Sequence, residues 1–245
     1  MQRMKLIMLG LLAVFAVSAV ASESASAHRY FREKCVERAE GQGTKFLTEK
    51  ECIEQPAKPI PGKWEHETIG IANIEGTSGV SKLESVIAKE TVTIECLKDV
   101  FTGTLEPGGK SKGEVKFTEC KVFNKLHEEL VACKVKEPIE FQFTDQLVGI
   151  AGRPEDEFKP TKAEETFVEI TIENVTGKNC LEKVTNLKVK GTQTCELPNA
   201  GALLVTHEIV CTPSGGKLKL GTEEAKFTST EKVNLSGTAG KWGAD

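Results

Sequence analysis

Apolar and polar residues alternate along most of this chain, in short runs separated by glycine, proline and asparagine. Alternation of that kind marks strands with one buried face. The plainest case runs from Thr91 to Phe123, where two strand-like arms flank Pro107-Gly108-Gly109-Lys110. Proline presets one backbone angle of such a turn, and glycine supplies the left-handed ones. Folding the arms about Gly108 sets Cys96 opposite Cys120 and Ile94 opposite Val122, with Val92, Ile94 and Cys96 on one face. The second arm slips in phase: Val115 and Phe117 share one face, Cys120 and Val122 the other. One extra residue near Thr118 or Glu119, a β-bulge, reconciles them.

The same reading predicts strands at Ile69 to Ile71 and Val80 to Ala88, then at Leu130 to Lys136 and Ile139 to Thr144, separated at Pro138. Val168, Ile170 and Ile172 alternate with Glu169, Thr171 and Glu173 as a half-buried strand should. Val184 to Cys195 and Leu203 to Cys211 are joined by Leu197-Pro198-Asn199-Ala200-Gly201, a turn; Leu218 with Leu220, and Phe227 with Val233 and Leu235, supply the closing strands. Ala151 to Ala163 carries two prolines and no clean period, so a long exposed loop is expected there. No stretch beyond the N-terminal segment holds a 3.6-residue period for the roughly 10 to 12 residues of a helix. The expected fold is therefore all-β, an antiparallel sandwich or barrel.

The first segment stands apart. Arg3 and Lys5 precede an apolar run from Leu6 to Val20 that ends in small residues, the layout of a secretory signal peptide. Cleavage after Ala21 or after Ala27 fits equally, giving a signal peptide within 1–27 and a mature start at Ser22 or His28. The run is short for a membrane span, and nothing downstream approaches the roughly 18 apolar residues a span needs. Residues 28–66 are charged and poor in aliphatics, and they read as a small disulfide-stapled module closed by the Pro-rich linker Gln55 to Gly62. Tyr30, Phe31, Phe46 and Trp64 are its candidate miniature core, and residues 67–245 form the β domain.

All eight cysteines, Cys35, Cys52, Cys96, Cys120, Cys133, Cys180, Cys195 and Cys211, lie beyond the cleavage sites. An even number in an exported chain implies disulfides and a secreted, extracellular location. Register pairs Cys96 with Cys120 and proximity pairs Cys35 with Cys52; Cys133 with Cys180 and Cys195 with Cys211 follow by elimination. The rival pairing joins Cys120 to Cys133 and sends Cys96 to a distant partner such as Cys211. Cleavage after Ala21 leaves 30 basic against 36 acidic residues. Lys and Glu alternate along the arms without gathering into a basic patch, so no nucleic-acid partner is expected.

Several stretches together resemble a known group. Cys35 through a Gly-containing segment to Cys52, Gly62-Lys63-Trp64-Glu65, the TIEC and SKGEVKFTEC arms at 93–96 and 111–120, and KLKLGTEEAKFTSTEKVNLSG at 217–237 followed by GKWG look like secreted actinobacterial proteins that carry no assigned function. The resemblance implies export and a β-rich fold. It implies no reaction.

Candidate chemistry is sparse. Gly108-Gly109-Lys110-Ser111 looks like the tail of a phosphate-binding loop, but Thr104 stands where that pattern needs glycine, and the stretch joins two strands. His66, His127 and His207 each precede a glutamate without continuing as HExxH, and His207 shares an apolar strand face with Ile209 and Cys211. A copper site at an N-terminal His28, with a second histidine as partner, is a remote alternative. Glu128-Glu129 and Glu164-Glu165 point to opposite faces of a strand and read as solvated charge rather than a hydrolase pair. Asn174-Val175-Thr176 and Asn234-Leu235-Ser236 match the glycosylation acceptor pattern by coincidence. The expectation is a non-enzymatic binding or structural module with no cofactor, acting on an envelope or extracellular protein or glycan. A hydrolase with an unrecognised carboxylate pair is the alternative.

Overall fold

The computed structural model describes residues 32–37, 47–48, 53–54, 64–150, 153–161, 166–175, 180–181, 186–237 and 241–244, and these contain no helix. The expected signal segment, the expected linker and most of the expected stapled module lie outside them. The architecture is an eight-stranded antiparallel barrel with extra strands.

The barrel is built on the hairpin. β7 (Glu90–Glu106) and β8 (Lys110–Asn124) pair from Val92↔Asn124 to Glu106↔Lys110, in the register centred on Gly108. Gly108 and Gly109 take φ of 77° and 72°, the left-handed region the turn requires. From this pair the wall runs through β10 (Ile139–Ile150), β11 (Arg153–Pro160), β14 (Gln193–Glu196), β15 (Thr206–Gly216), β17 (Glu223–Leu235) and β5 (Ala72–Ser78), which returns to β7 and closes the ring. Closure removes free sheet edges. Along β10 the inward residues Ile139, Phe143 and Leu147 are buried and the outward Glu140, Gln142, Thr144 and Gln146 are exposed.

Two expectations need correction. The single bulge on the second arm is absent: the register is constant, and Leu97 and Glu119 alone drop out of pairing. Instead both strands change face there, from Val92, Ile94 and Cys96 to Asp99 and Phe101 on β7, and from Val115 and Phe117 to Val122 on β8. A one-residue irregularity in each strand cancels in the register while flipping both faces. Glu119 takes φ 56° at this point, and the Glu137 carboxylate accepts from the amides of Glu119 at 2.9 Å and Cys120 at 2.6 Å. Secondly, the expected loop at Ala151 to Ala163 contains a barrel strand. Pro154 and Pro160 lie at the ends of β11, outside the four residues that pair with β14, so neither missing N–H interrupts that ladder.

β6 (Ser81–Ile87) continues β5 in the same register with β7, but one residue is extra relative to β17: Ser78 pairs with Glu231 while Lys82 pairs with Thr228. Below this bulge the molecule is a sandwich. One layer is β6, β7 and β8; the other extends from β17 through β16 (Leu218–Leu220), β13 (Asn186–Lys190) and β12 (Thr166–Asn174) to β9 (Cys133–Val135). Its core is aliphatic, with Val92, Val122, Val135, Ile170 and Ile172 at its centre. The barrel above encloses a second core around Phe101, Leu105, Phe143, Ile209 and Val233.

Cys96–Cys120 and Cys133–Cys180 brace the sandwich half, and Cys195–Cys211 crosses from β14 to β15 in the barrel half. These are the pairs expected from register and elimination. Cys35 lies in β1 (Arg32–Glu37), whereas the Cys35–Cys52 bond falls outside the described residues. β1 pairs with β4 (Trp64–Thr68) and also with β18 (Trp242–Ala244); with β2 (Leu47–Thr48) and β3 (Ile53–Glu54) beyond β4, the N-terminal segment shares a five-stranded sheet with the last strand, β18. β18 in turn packs on the barrel core through Trp242 and Ala244.

Candidate functional site: a cavity between two cores

Seven of the eleven phenylalanines in the chain line one internal cavity of about 130 Å³, placed where the barrel and sandwich cores meet. Alternation brings them there, because Phe101, Phe117, Phe141, Phe143 and Phe158 all occupy inward positions of neighbouring strands. They form two runs of touching rings. Phe101 stacks on Phe143 at 5.3 Å and Phe143 meets Phe158 edge-on at 5.2 Å. Phe117 contacts both Phe141 and Phe227, and Phe141 meets Phe167 edge-on at 5.5 Å. Aromatic contacts of this kind add about 0.5–1.5 kcal/mol each beyond area burial, so the walls are stiff.

The cavity has one polar side. Glu231 and Ser229 sit on β17 at inward positions between Phe227 and Val233, and Gln193 comes from β14. Next to Glu231 lies Asp99, 2% exposed, brought inward by the change of face in β7. Asp99 accepts from the Ser78 amide at 2.7 Å, from the Ser78 hydroxyl and from the Ser81 hydroxyl at 3.1 Å. Both serines belong to the β5–β6 bulge, so the irregular backbone is what turns their donors toward one carboxylate. Burial pushes the Glu231 pKa up to about 9, and the Asp99 charge beside it pushes in the same direction. Glu231 is thus a neutral acid at pH 7, because a second charge in this site would lack solvent.

Gln193 is 4% exposed, and its amide nitrogen donates to the carbonyls of Thr194 at 3.0 Å and Thr212 at 3.1 Å. Gly216 makes room for it, since a Cβ there would stand 2.5 Å from Gln193 Oε1. Gln193 Oε1, Glu231 Oε2 and Ser229 Oγ are buried and make no hydrogen bond. Satisfied buried polar atoms are the rule, so three unpartnered oxygens on the lining of one cavity, each able to accept, mark it as a place where a donor group fits.

The residues singled out from sequence lie elsewhere. Gly108 to Ser111 is the β7–β8 turn, with the Ser111 hydroxyl donating to buried Asp145. His207 is buried; its Nε2 meets the Trp242 carbonyl oxygen, its ring lies 4.5 Å from the Trp242 ring, and burial lowers its pKa. His127 stacks on Phe123 at 4.6 Å in an exposed turn. Glu128 accepts from Asn124 Nδ2 at 2.8 Å and Glu129 pairs with Lys121 at 2.7 Å. His28, Cys52, Glu164 and Glu165 fall outside the described residues, as do the side chains of Cys35 and His66. Among the described residues no three His, Cys, Asp or Glu side chains gather as a metal would need.

Asp99, Glu231 and Gln193 escaped the sequence reading. For Glu231 a signal existed: Ala225, Phe227, Ser229, Glu231, Val233 and Leu235 share one strand face, which puts an acid on an apolar stripe. No protein family, curated protein or solved structure matches this chain. The geometry alone therefore defines the class, a disulfide-braced antiparallel β-barrel with a phenylalanine-lined cavity.

Proposed function

We propose that the protein is an exported, non-enzymatic binding module whose ligand, a small apolar molecule, is held inside the barrel. The observation that carries this reading is the cavity itself: about 130 Å³ walled by seven phenylalanines, with three unpartnered oxygens on one side. Small closed barrels fill their interior with side chains or hold one ligand there. Export is supported by the charged and apolar layout of residues 1–27 and by three disulfides, which fit an oxidising environment. The interior favours a small molecule over the protein or glycan partner expected from sequence, because a polymer would need an open groove.

The hydrolase alternative loses ground on the same geometry. Asp99 and Glu231 lie against one another, whereas glycoside hydrolysis needs its carboxyls roughly 5 to 9.5 Å apart to admit the sugar or water. Calorimetric titration of the mature protein with toluene tests the binding reading. Saturable binding of one toluene per chain is expected, and absence of binding at the solubility limit would contradict it.

A further inference from the structure

We propose that the cavity selects a small primary amine with an apolar body, its ammonium lying on the side formed by Glu231, Ser229 and Gln193, with Asp99 beside Glu231. This rests on the reading of the barrel as a binding module and adds the chemistry of the ligand.

Size sets the first limit. A cavity of about 130 Å³ is close to the roughly 150 Å³ of an engineered apolar cavity that takes up benzene, so the occupant has roughly six to eight heavy atoms. The walls set the second, since rings and aliphatic side chains leave the body of the ligand no polar partner. Aromatic faces also attract a cation.

Hydrogen-bonding capacity sets the third limit. Two of the three unpartnered oxygens, Gln193 Oε1 and Glu231 Oε2, belong to side chains 4% and 8% exposed, and both can only accept when Glu231 turns its proton to Asp99. The third, the Ser229 hydroxyl, can accept or donate. The Gln193 amide is committed to Thr194 and Thr212, and the Ser81 hydroxyl to Asp99. A carboxylate or ketone could use only Ser229 and would face the other two oxygens with its own acceptor. An ammonium group, with three donors and no acceptor, complements all three.

Charge decides between an ammonium and a neutral donor such as an alcohol. The negative charge of Asp99 lies beside Glu231, where it is one of the causes that keep Glu231 neutral. Among the described residues neither lies within ion-pair distance of a lysine or arginine; the amine of Lys82, on the opposite face of β6 from Ser81 and Leu83, pairs with Glu95 at 2.9 Å. A buried charge satisfied only by serine donors gains most from a cation brought in by the ligand.

The experiment compares benzylamine, benzyl alcohol and toluene on the mature protein by calorimetry at pH 7. The wild type is set beside the near-isosteric neutral pair Asp99→Asn with Glu231→Gln. The expected result is benzylamine binding at least ten-fold more tightly than the other two, with that advantage over toluene and benzyl alcohol lost in the double variant. Equal or tighter binding of toluene or benzyl alcohol to the wild type overturns the amine assignment and leaves the binding module standing. An amine preference that survives in the double variant overturns the placement of the ammonium. No binding of any of the three overturns the binding module itself. If the double variant does not fold, the wild-type ranking alone decides the amine assignment.

Discussion

The sandwich half and the barrel half share β7, β8 and β17, yet their interiors differ in kind. The sandwich core is almost wholly aliphatic and is braced by two disulfides. Its buried serine, Ser85, is satisfied by the Glu224 carbonyl at 2.7 Å, and its buried glutamate, Glu95, is paired with Lys82. The barrel core has one disulfide and takes in Asp145, Asp156, Gln193, His207 and Glu231. Buried polar groups cost stability unless paired, and an acid with a displaced pKa costs more. Both halves line the cavity, and its polar side comes from the half that carries these costs. The lesson is a division of labour: one half holds the fold, and the other tolerates the buried polar groups that face the cavity.

If that division is right, the sandwich staple matters more than the barrel staple. Replacing Cys133 and Cys180 with serine opens a loop spanning 47 positions, and replacing Cys195 and Cys211 opens one spanning 16. The chain-entropy model puts the losses at about 4 and about 3 kcal/mol respectively. Urea unfolding of the two double variants checks the order. A larger loss from the barrel pair would break the comparison.

The acid pair should make the barrel half sensitive to alkali. The folded pKa of Glu231 is raised to about 9 from 4.5, so between those values the folded state binds more protons than the unfolded one. Stability from this group is fully present below pH 4.5 and is lost as pH rises toward 9. Glu231→Gln should flatten that decline and stabilise the protein at pH 8 by on the order of 3 kcal/mol, read from urea midpoints across pH. An unchanged slope would mean that Glu231 is solvated. His207 gives a smaller effect of opposite sign: its folded pKa lies below 6.5, so its contribution is present above pH 6.5 and is lost on acidification. His207→Gln should flatten the loss of stability on acidification, read from the same urea midpoints below pH 6.5.

Much of the sandwich half was legible in the sequence, because its features are local. The Gly108 turn fixes the hairpin register, register fixes Cys96 against Cys120, and Val168, Ile170 and Ile172 alternate cleanly. The barrel half was harder to read, because its closure depends on pairings such as Ile74 with Leu235, far apart in the chain and without any local mark. β11 was hidden by two prolines that turn out to sit harmlessly at its ends. Asp99 was hidden by the matched change of face in β7 and β8, which makes an inward residue read as outward. The candidate site therefore lay where strand periodicity breaks, and periodicity was the signal being followed.

The most direct test of the barrel's role is a crystal of the protein pressurised with xenon, an apolar atom that enters dry cavities. The account predicts one well-occupied xenon among Phe117, Phe141 and Phe143, with the acid pair and the phenylalanine rings unmoved. Xenon confined to the surface, or a lumen closed by repacked phenylalanines, would contradict it.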